Sequence, residues 1–85
     1  MQIVFSPKFV RIFKKLSEEI KAKAFVCMDQ FMENPQHPSL HIHKLQPQNR
    51  EHWAITVAYD CRIIFSLADE KTAYFIGIGK HDDVY

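Results

Sequence analysis

His81 stands four residues before Tyr85, a spacing that brings both side chains to one face if the backbone turns helically there. An unperturbed imidazole titrates at about 6.5, close to a working pH, so histidine is the natural residue to give or take a proton. The alternative is a solvated loop histidine, with Tyr85 as an aromatic that caps the core. Arg62 sits between Cys61 and Ile63 in an otherwise apolar run. A permanently charged planar fork in the middle of a strand suits anion recognition, and a surface arginine paired with an acid is the other reading. His41 and His43 are two apart and share one face on a strand. Such a pair can bind a metal, but it needs a third ligand and an open position, so plain exposure is preferred to a metal site and no cofactor is expected. His52 precedes Trp53 by one position and falls on the face of Arg62, as a possible substitute base.

The elements that must position these groups are legible in the spacing of apolar residues. Gln2-Ile3-Val4-Phe5 reads as a short strand, and Ser6-Pro7 starts a helix, with Ser6 as cap and Pro7 at the first helical position. Phe9, Phe13, Leu16, Ile20, Ala24, Cys27 and Phe31 recur at steps of four and three, which draws an apolar stripe down one helical face. Ser17 followed by Glu18 and Glu19 marks a fresh helix start, so a helical hairpin over about 7–15 and 18–33 is expected, ended by Glu33-Asn34-Pro35.

The second half changes period. Trp53, Ile55, Val57 and Tyr59 alternate with smaller or polar residues, and so do Cys61, Ile63, Phe65 and Leu67. Tyr59-Asp60 and Asp69-Glu70-Lys71 read as turns, Thr72–Gly79 as a further strand, and Leu40–Leu45 as a shorter strand that starts the meander. The expected class is α+β, in the order β-α-α-β-β-β-β, with the helices on one sheet face and the other left open. Parity sends Trp53, Ile55, Val57 and Tyr59 under the helices, and Ala54, Thr56, Arg62 and Ile64 to the open face.

Eighty-five residues make a single domain, 1–85, with a thin margin of stability. A hydrophobic share of 47% beside 25% charged residues excludes a disordered chain. No run approaches a membrane helix, and the start lacks the charged and apolar regions of a signal peptide, so a cytosolic protein with no membrane contact is expected. Cys27 and Cys61 lack paired spacing and fall at core positions, as small buried apolar residues rather than a disulfide or a reactive thiol. The net charge of +1 argues against binding nucleic acid by bulk charge. Basic residues gather instead in the first 23 positions, as Lys8, Arg11, Lys14, Lys15, Lys21 and Lys23 against Glu18 and Glu19. That face either meets RNA or receives an acidic partner.

An ordered set of pieces over the whole chain resembles the RelE/ParE toxin superfamily. It runs from Phe5-Ser6-Pro7-Lys8-Phe9 through the charged hairpin to His37-Pro38-Ser39-Leu40 and Lys44-Leu45. Trp53-Ala54-Ile55-Thr56-Val57 and Tyr59-Asp60-Cys61-Arg62-Ile63-Ile64-Phe65 follow, and the last piece is Ile78-Gly79-Lys80-His81-Asp82-Asp83-Val84-Tyr85. The resemblance implies a ribosome-dependent endoribonuclease that cuts messenger RNA without a metal and is silenced by a cognate antitoxin. It implies His81 as a catalytic residue, Arg62 as a clamp on the transition state, and Tyr85 as an aromatic contact to RNA. Lys44, Lys80, His41, His43 and His52 are the further expected RNA contacts. Operator DNA would be met only through the antitoxin complex.

Typical ribosome-cutting members carry lysines on the open face of the third strand, where this chain has Ala54 and Thr56. RNA cutting here would therefore lean on histidines. Two other functions are compatible with the same scaffold, a gyrase-binding toxin and an inactive relative that only binds its antitoxin.

Overall fold

The structure, a computed structural model, describes residues 1–45 and 51–80. Strand β1 (Gln2–Phe5) leads into helices α1 (Pro7–Phe13) and α2 (Glu18–Glu33). Strands β2 (His43–Lys44), β3 (Trp53–Ala58), β4 (Cys61–Asp69) and β5 (Thr72–Gly79) complete a five-stranded sheet in the order β1-β5-β4-β3-β2. The α+β arrangement expected from the sequence is therefore present. β1 lies parallel to β5, whereas the remaining neighbours are antiparallel, so the first strand of the chain docks beside the last.

Both helix starts follow from serine caps. The Ser6 hydroxyl accepts from the Phe9 N–H at 2.9 Å, and the Ser17 hydroxyl accepts from the Ile20 N–H at 3.2 Å. α1 stops two residues short of the expected end. Lys15 and Leu16 bond back to Ile12 and Phe13, a tightened last turn that frees the chain to reverse at Ser17. The helices bury Phe9, Ala24, Cys27, Met28 and Phe31 against Ile55, Ile63, Phe65, Phe75 and Ile78 of the sheet. Phe31 stands edge-on to Phe65 at 5.0 Å and to Phe75 at 5.6 Å, and Phe9 meets Phe75 at 5.7 Å. Each ring contributes about 1.5–3 kcal/mol by leaving water, and more by its contacts.

Two expectations need correction. Pro38–Leu40 form a 3₁₀ turn rather than the start of a strand, so the strand expected over Leu40–Leu45 shrinks to His43–Lys44. Pro38 fixes the first turn position, the His37 ring nitrogen accepts from the Ser39 N–H at 3.1 Å, and Leu40 plugs the core. Tyr59 does not pack beneath the helices and is 97% exposed. The β3–β4 register shifts between Thr56 and Ala58, after which Ala58 pairs with Cys61. Tyr59 and Asp60 thus occupy the two turn positions, outside the strand alternation, and Ala58 packs on the core instead.

Candidate functional site

The sheet face opposite the helices is built from rows of facing residues. Thr56, Arg62 and Gly79 form one row across β3, β4 and β5. His43, Ala54, Ile64 and Gly77 form the next. Ala54, Thr56, Arg62 and Ile64 do share the face opposite the helices, but only Thr56 and Arg62 keep partial exposure there, whereas Ala54 and Ile64 are buried at 0% and 4%.

Arg62 is held by its own hairpin. Its Nη1 donates to the carbonyl oxygens of Ala58 at 2.8 Å, Tyr59 at 3.2 Å and Cys61 at 3.2 Å. These acceptors orient the guanidinium without neutralising it, because carbonyls carry no net charge. Among the described residues the ion pairs are Lys21–Glu18, Lys23–Glu19 and Lys44–Glu51, and none involves Arg62. A fixed fork with no acidic partner among the described residues suits recognition of a phosphate.

Beside Arg62 and Ile64 the β5 positions are glycines. A Cβ built on Gly77 would meet nothing within 4 Å, so beside those two residues β5 forms a short strip without side chains. Such a strip lets a flat or charged ligand come close to the sheet backbone. Sequence reading passed over it, although Gly-x-Gly inside a strand pattern is the signal that marks close approach.

The other expected residues do not all gather here. Exposed Lys80 follows Gly79 directly and so stands next to the row of Arg62. His43 shares the open face but lies two strands and one row away, about 12 Å between Cα atoms at ordinary sheet spacings. His52 alternates to the same face from the far end of β3, about 14 Å from Arg62 on the same spacings. Lys44 pairs with Trp53 and therefore turns to the helix side, where its ammonium sits 5.9 Å from the Trp53 ring and 3.7 Å from the Glu51 carboxylate. His41 leaves the sheet altogether, in a left-handed conformation with φ 47°. The strand pairing that would have given His41 and His43 a common face is absent, and their one contact is His43 Nδ1 at 3.4 Å from the His41 carbonyl. Among the described residues no group of three or more His, Cys, Asp or Glu side chains is placed to hold a metal. His81 and Tyr85 lie outside the described residues.

Cys61 neighbours Arg62 in sequence but is buried on the opposite face. Burial pushes its thiol up, and Asp60 adds to this, while Arg62 opposes it. Cys27 is raised by burial as well. Protonated, buried thiols are poor nucleophiles, which leaves the open face to arginine and histidine chemistry.

No protein-family model and no curated protein sequence matches the chain. Solved structures do. YafQ from E. coli strain BL21(DE3) is 22% identical, with a TM-score of 0.81 over 99% of this chain and 97% of that one. A chain of the archaeal RelE–RelB complex from Pyrococcus horikoshii OT3 is 13% identical, with a TM-score of 0.75 over 93% and 92%. A chain of the YoeB–YefM complex from Staphylococcus aureus is 14% identical, with a TM-score of 0.77 over 95% and 97%. Likeness across nearly the whole of both chains gives this protein the RelE-like toxin fold.

Proposed function

We propose that this chain is the toxin of a type II toxin–antitoxin pair, a single-domain cytoplasmic endoribonuclease that cuts messenger RNA on the ribosome. The RelE-like fold supports the toxin reading, since E. coli YafQ occurs in a toxin–antitoxin complex with DinJ. The nuclease reading rests on one observation. Arg62 is anchored on the open face with no acidic partner among the described residues, opposite the glycine from which the tail departs. His81 follows Gly79 by two residues, so covalent geometry keeps their Cα atoms within about 7 Å.

The chemistry divides among few groups. The 2′-oxygen of a ribose bonds to the adjacent phosphorus, the bond from phosphorus to the 5′-oxygen breaks, and a 2′,3′-cyclic phosphate remains. One proton leaves the 2′-hydroxyl and another reaches the departing 5′-oxygen. His81 carries proton transfer, Arg62 holds the charge that grows on the phosphoryl oxygens, and Tyr85 stacks on a splayed base. Lys80 adds a cation beside Arg62. A cognate antitoxin keeps the protein silent, and operator DNA is reached only through that complex.

Inducible expression without the antitoxin, with primer extension on cellular messages, tests the proposal. Growth arrest with new RNA ends, both lost in His81→Ala and Arg62→Ala, is the expected result. Arrest with intact messages and damaged DNA would turn the reading to a gyrase-directed toxin, and absence of arrest to an inactive antitoxin-binding relative.

A further inference from the structure

Beyond the row of His43, Ala54, Ile64 and Gly77, the next residues on the open face are Ser66 of β4 and, opposite it, Tyr74 of β5. Val4 of β1 pairs with Tyr74 on the far side. Trp53 faces Phe65, and the His52 carbonyl accepts from the Leu45 N–H at 2.8 Å, so His52 extends β3 by one position and falls opposite Ser66. His52, Ser66 and Tyr74 thus follow one another across three strands on the face of Arg62, and all three are half-buried. Among the described residues no hydrogen bond uses the His52 ring, the Ser66 hydroxyl or the Tyr74 hydroxyl. Nor does Tyr74 belong to any of the aromatic ring pairs there.

Spacing says what fits between them. His52 and Tyr74 stand two strands apart, about 9.5 Å between Cα atoms, with the small Ser66 side chain as the floor. Two rings that sandwich a third at van der Waals contact are about 7–8 Å apart, a gap these positions reach by leaning inward. An apolar protein side chain there would leave the hydroxyls of Ser66 and Tyr74 without partners. A nucleobase instead offers its ring faces to the flanking rings and its edge to the Ser66 hydroxyl, which can donate or accept. Arg62 lies about 13 Å from Ser66 along the same strand. Buried Ala54 and Ile64 and bare Gly77 lie between the two, so a nucleic-acid strand seated on Arg62 can cross to the gap. We infer that His52, Ser66 and Tyr74 form a base clamp for single-stranded RNA. The imidazole and phenol rings stack on the two faces of one unpaired base, and the serine meets its edge. The clamped base belongs to a different nucleotide from the one whose phosphate Arg62 holds. That the strand is a message being cut rests on the nuclease reading above, whereas the geometry of the gap does not.

The test uses the full chain and 2′-O-methyl RNA tetranucleotides, which lack the hydroxyl that attacks in cleavage. The fluorescent base 2-aminopurine, which stacking quenches, is placed at each position in turn. At one position binding should quench the label, and Tyr74→Ala and His52→Ala should each abolish that quench. Each should also weaken binding about tenfold, the scale on which one stacked base is held, while circular dichroism stays unchanged. Tyr74→Phe should keep the quench, because the ring and not the hydroxyl does the stacking. An abasic unit at that position should bind the unaltered protein about tenfold more weakly. The inference is overturned if no position shows a quench that depends on Tyr74, or if Tyr74→Phe abolishes it as alanine does. Equal binding of the abasic strand overturns it too, whatever the variants do. A Tyr74-dependent quench in a protein that cuts no message in cells would sink the nuclease reading and leave the clamp standing. Message cleavage without such a quench would do the reverse.

Discussion

Ser6 and Ile76, 70 residues apart in the chain, share a hydrogen bond of 2.7 Å from the Ser6 hydroxyl to the Ile76 carbonyl. The same oxygen accepts from the Phe9 N–H, and the Ser6 N–H reaches the Phe75 carbonyl at 3.0 Å. Ile76 is the extra residue where the β4–β5 register slips, between Gly77 opposite Ile64 and Phe75 opposite Phe65. One side chain thereby caps α1 and satisfies the carbonyl of the irregularity that leads into the glycine strip.

Ser6→Ala would leave both partners of that hydroxyl without it. The cap and the part-buried carbonyl together set the expected loss at about 1–3 kcal/mol, read as a lower midpoint in urea with an unchanged slope. A loss under about 0.5 kcal/mol would mean that water replaces the hydroxyl at no cost.

Arg62→Lys keeps the charge but loses the planar fork whose Nη1 bonds the turn and whose other nitrogens add donors that an ammonium cannot place in the same way. RNA cleavage should fall by about 10²–10³-fold, as when one preorganised donor to a developing oxyanion is removed. Circular dichroism should be unaltered. Full cleavage by the lysine variant would show that Arg62 acts only as a point charge.

Tyr59→Ser and Phe31→Ala should separate cleanly. Tyr59 stands in solvent at the hairpin tip, so its loss should change stability by no more than about 0.5 kcal/mol. Phe31 is 1% exposed among Phe65 and Phe75, and its truncation should cost about 3–5 kcal/mol. Comparable effects from the two would place Tyr59 in the core after all.

Cys27 and Cys61 have thiols raised by burial above the ordinary 9.0. In the interval above that value the folded chain holds protons that the unfolded chain has released. Stability should therefore fall as pH climbs through and beyond 9.0. Cys27→Ala with Cys61→Ala, compared with the parent between pH 7 and 10, should flatten that decline even though the double variant starts lower. At pH 8 both thiols should also resist alkylation until denaturant is added. Rapid native labelling of either would contradict the burial.

Apolar spacing carried most of the fold. Both helices, their serine caps and three long strands follow from local periodicity, and the face of Arg62 follows from counting in twos along β4. The misreadings share a cause. Tyr59 continues the alternation of β3 as a pattern, yet a two-residue turn takes it out of the sheet, and only pairing with β4 reveals the shift. Leu40 is as apolar as a strand residue should be, but Pro38 and the His37 cap spend the backbone on a 3₁₀ turn. The face that carries Arg62 was legible, and those of the other candidate residues much less so. Lys44 and His43 differ by one position, and that single step decides which side of the sheet each sees. The carbonyls that grip Arg62 belong to backbone, which no residue-type argument can single out.

β1 has β5 as its sheet neighbour and sits at the sheet's edge, so during synthesis β1 must wait unpaired until β5 has emerged. Closing that longest loop is the entropically late step, and α1, which packs on β5, waits with it. Nascent chains stalled before Thr72 should accordingly be cut by protease within residues 2–13, whereas released chains resist. A translating ribosome would thus hold each new copy unfinished until β5 is free.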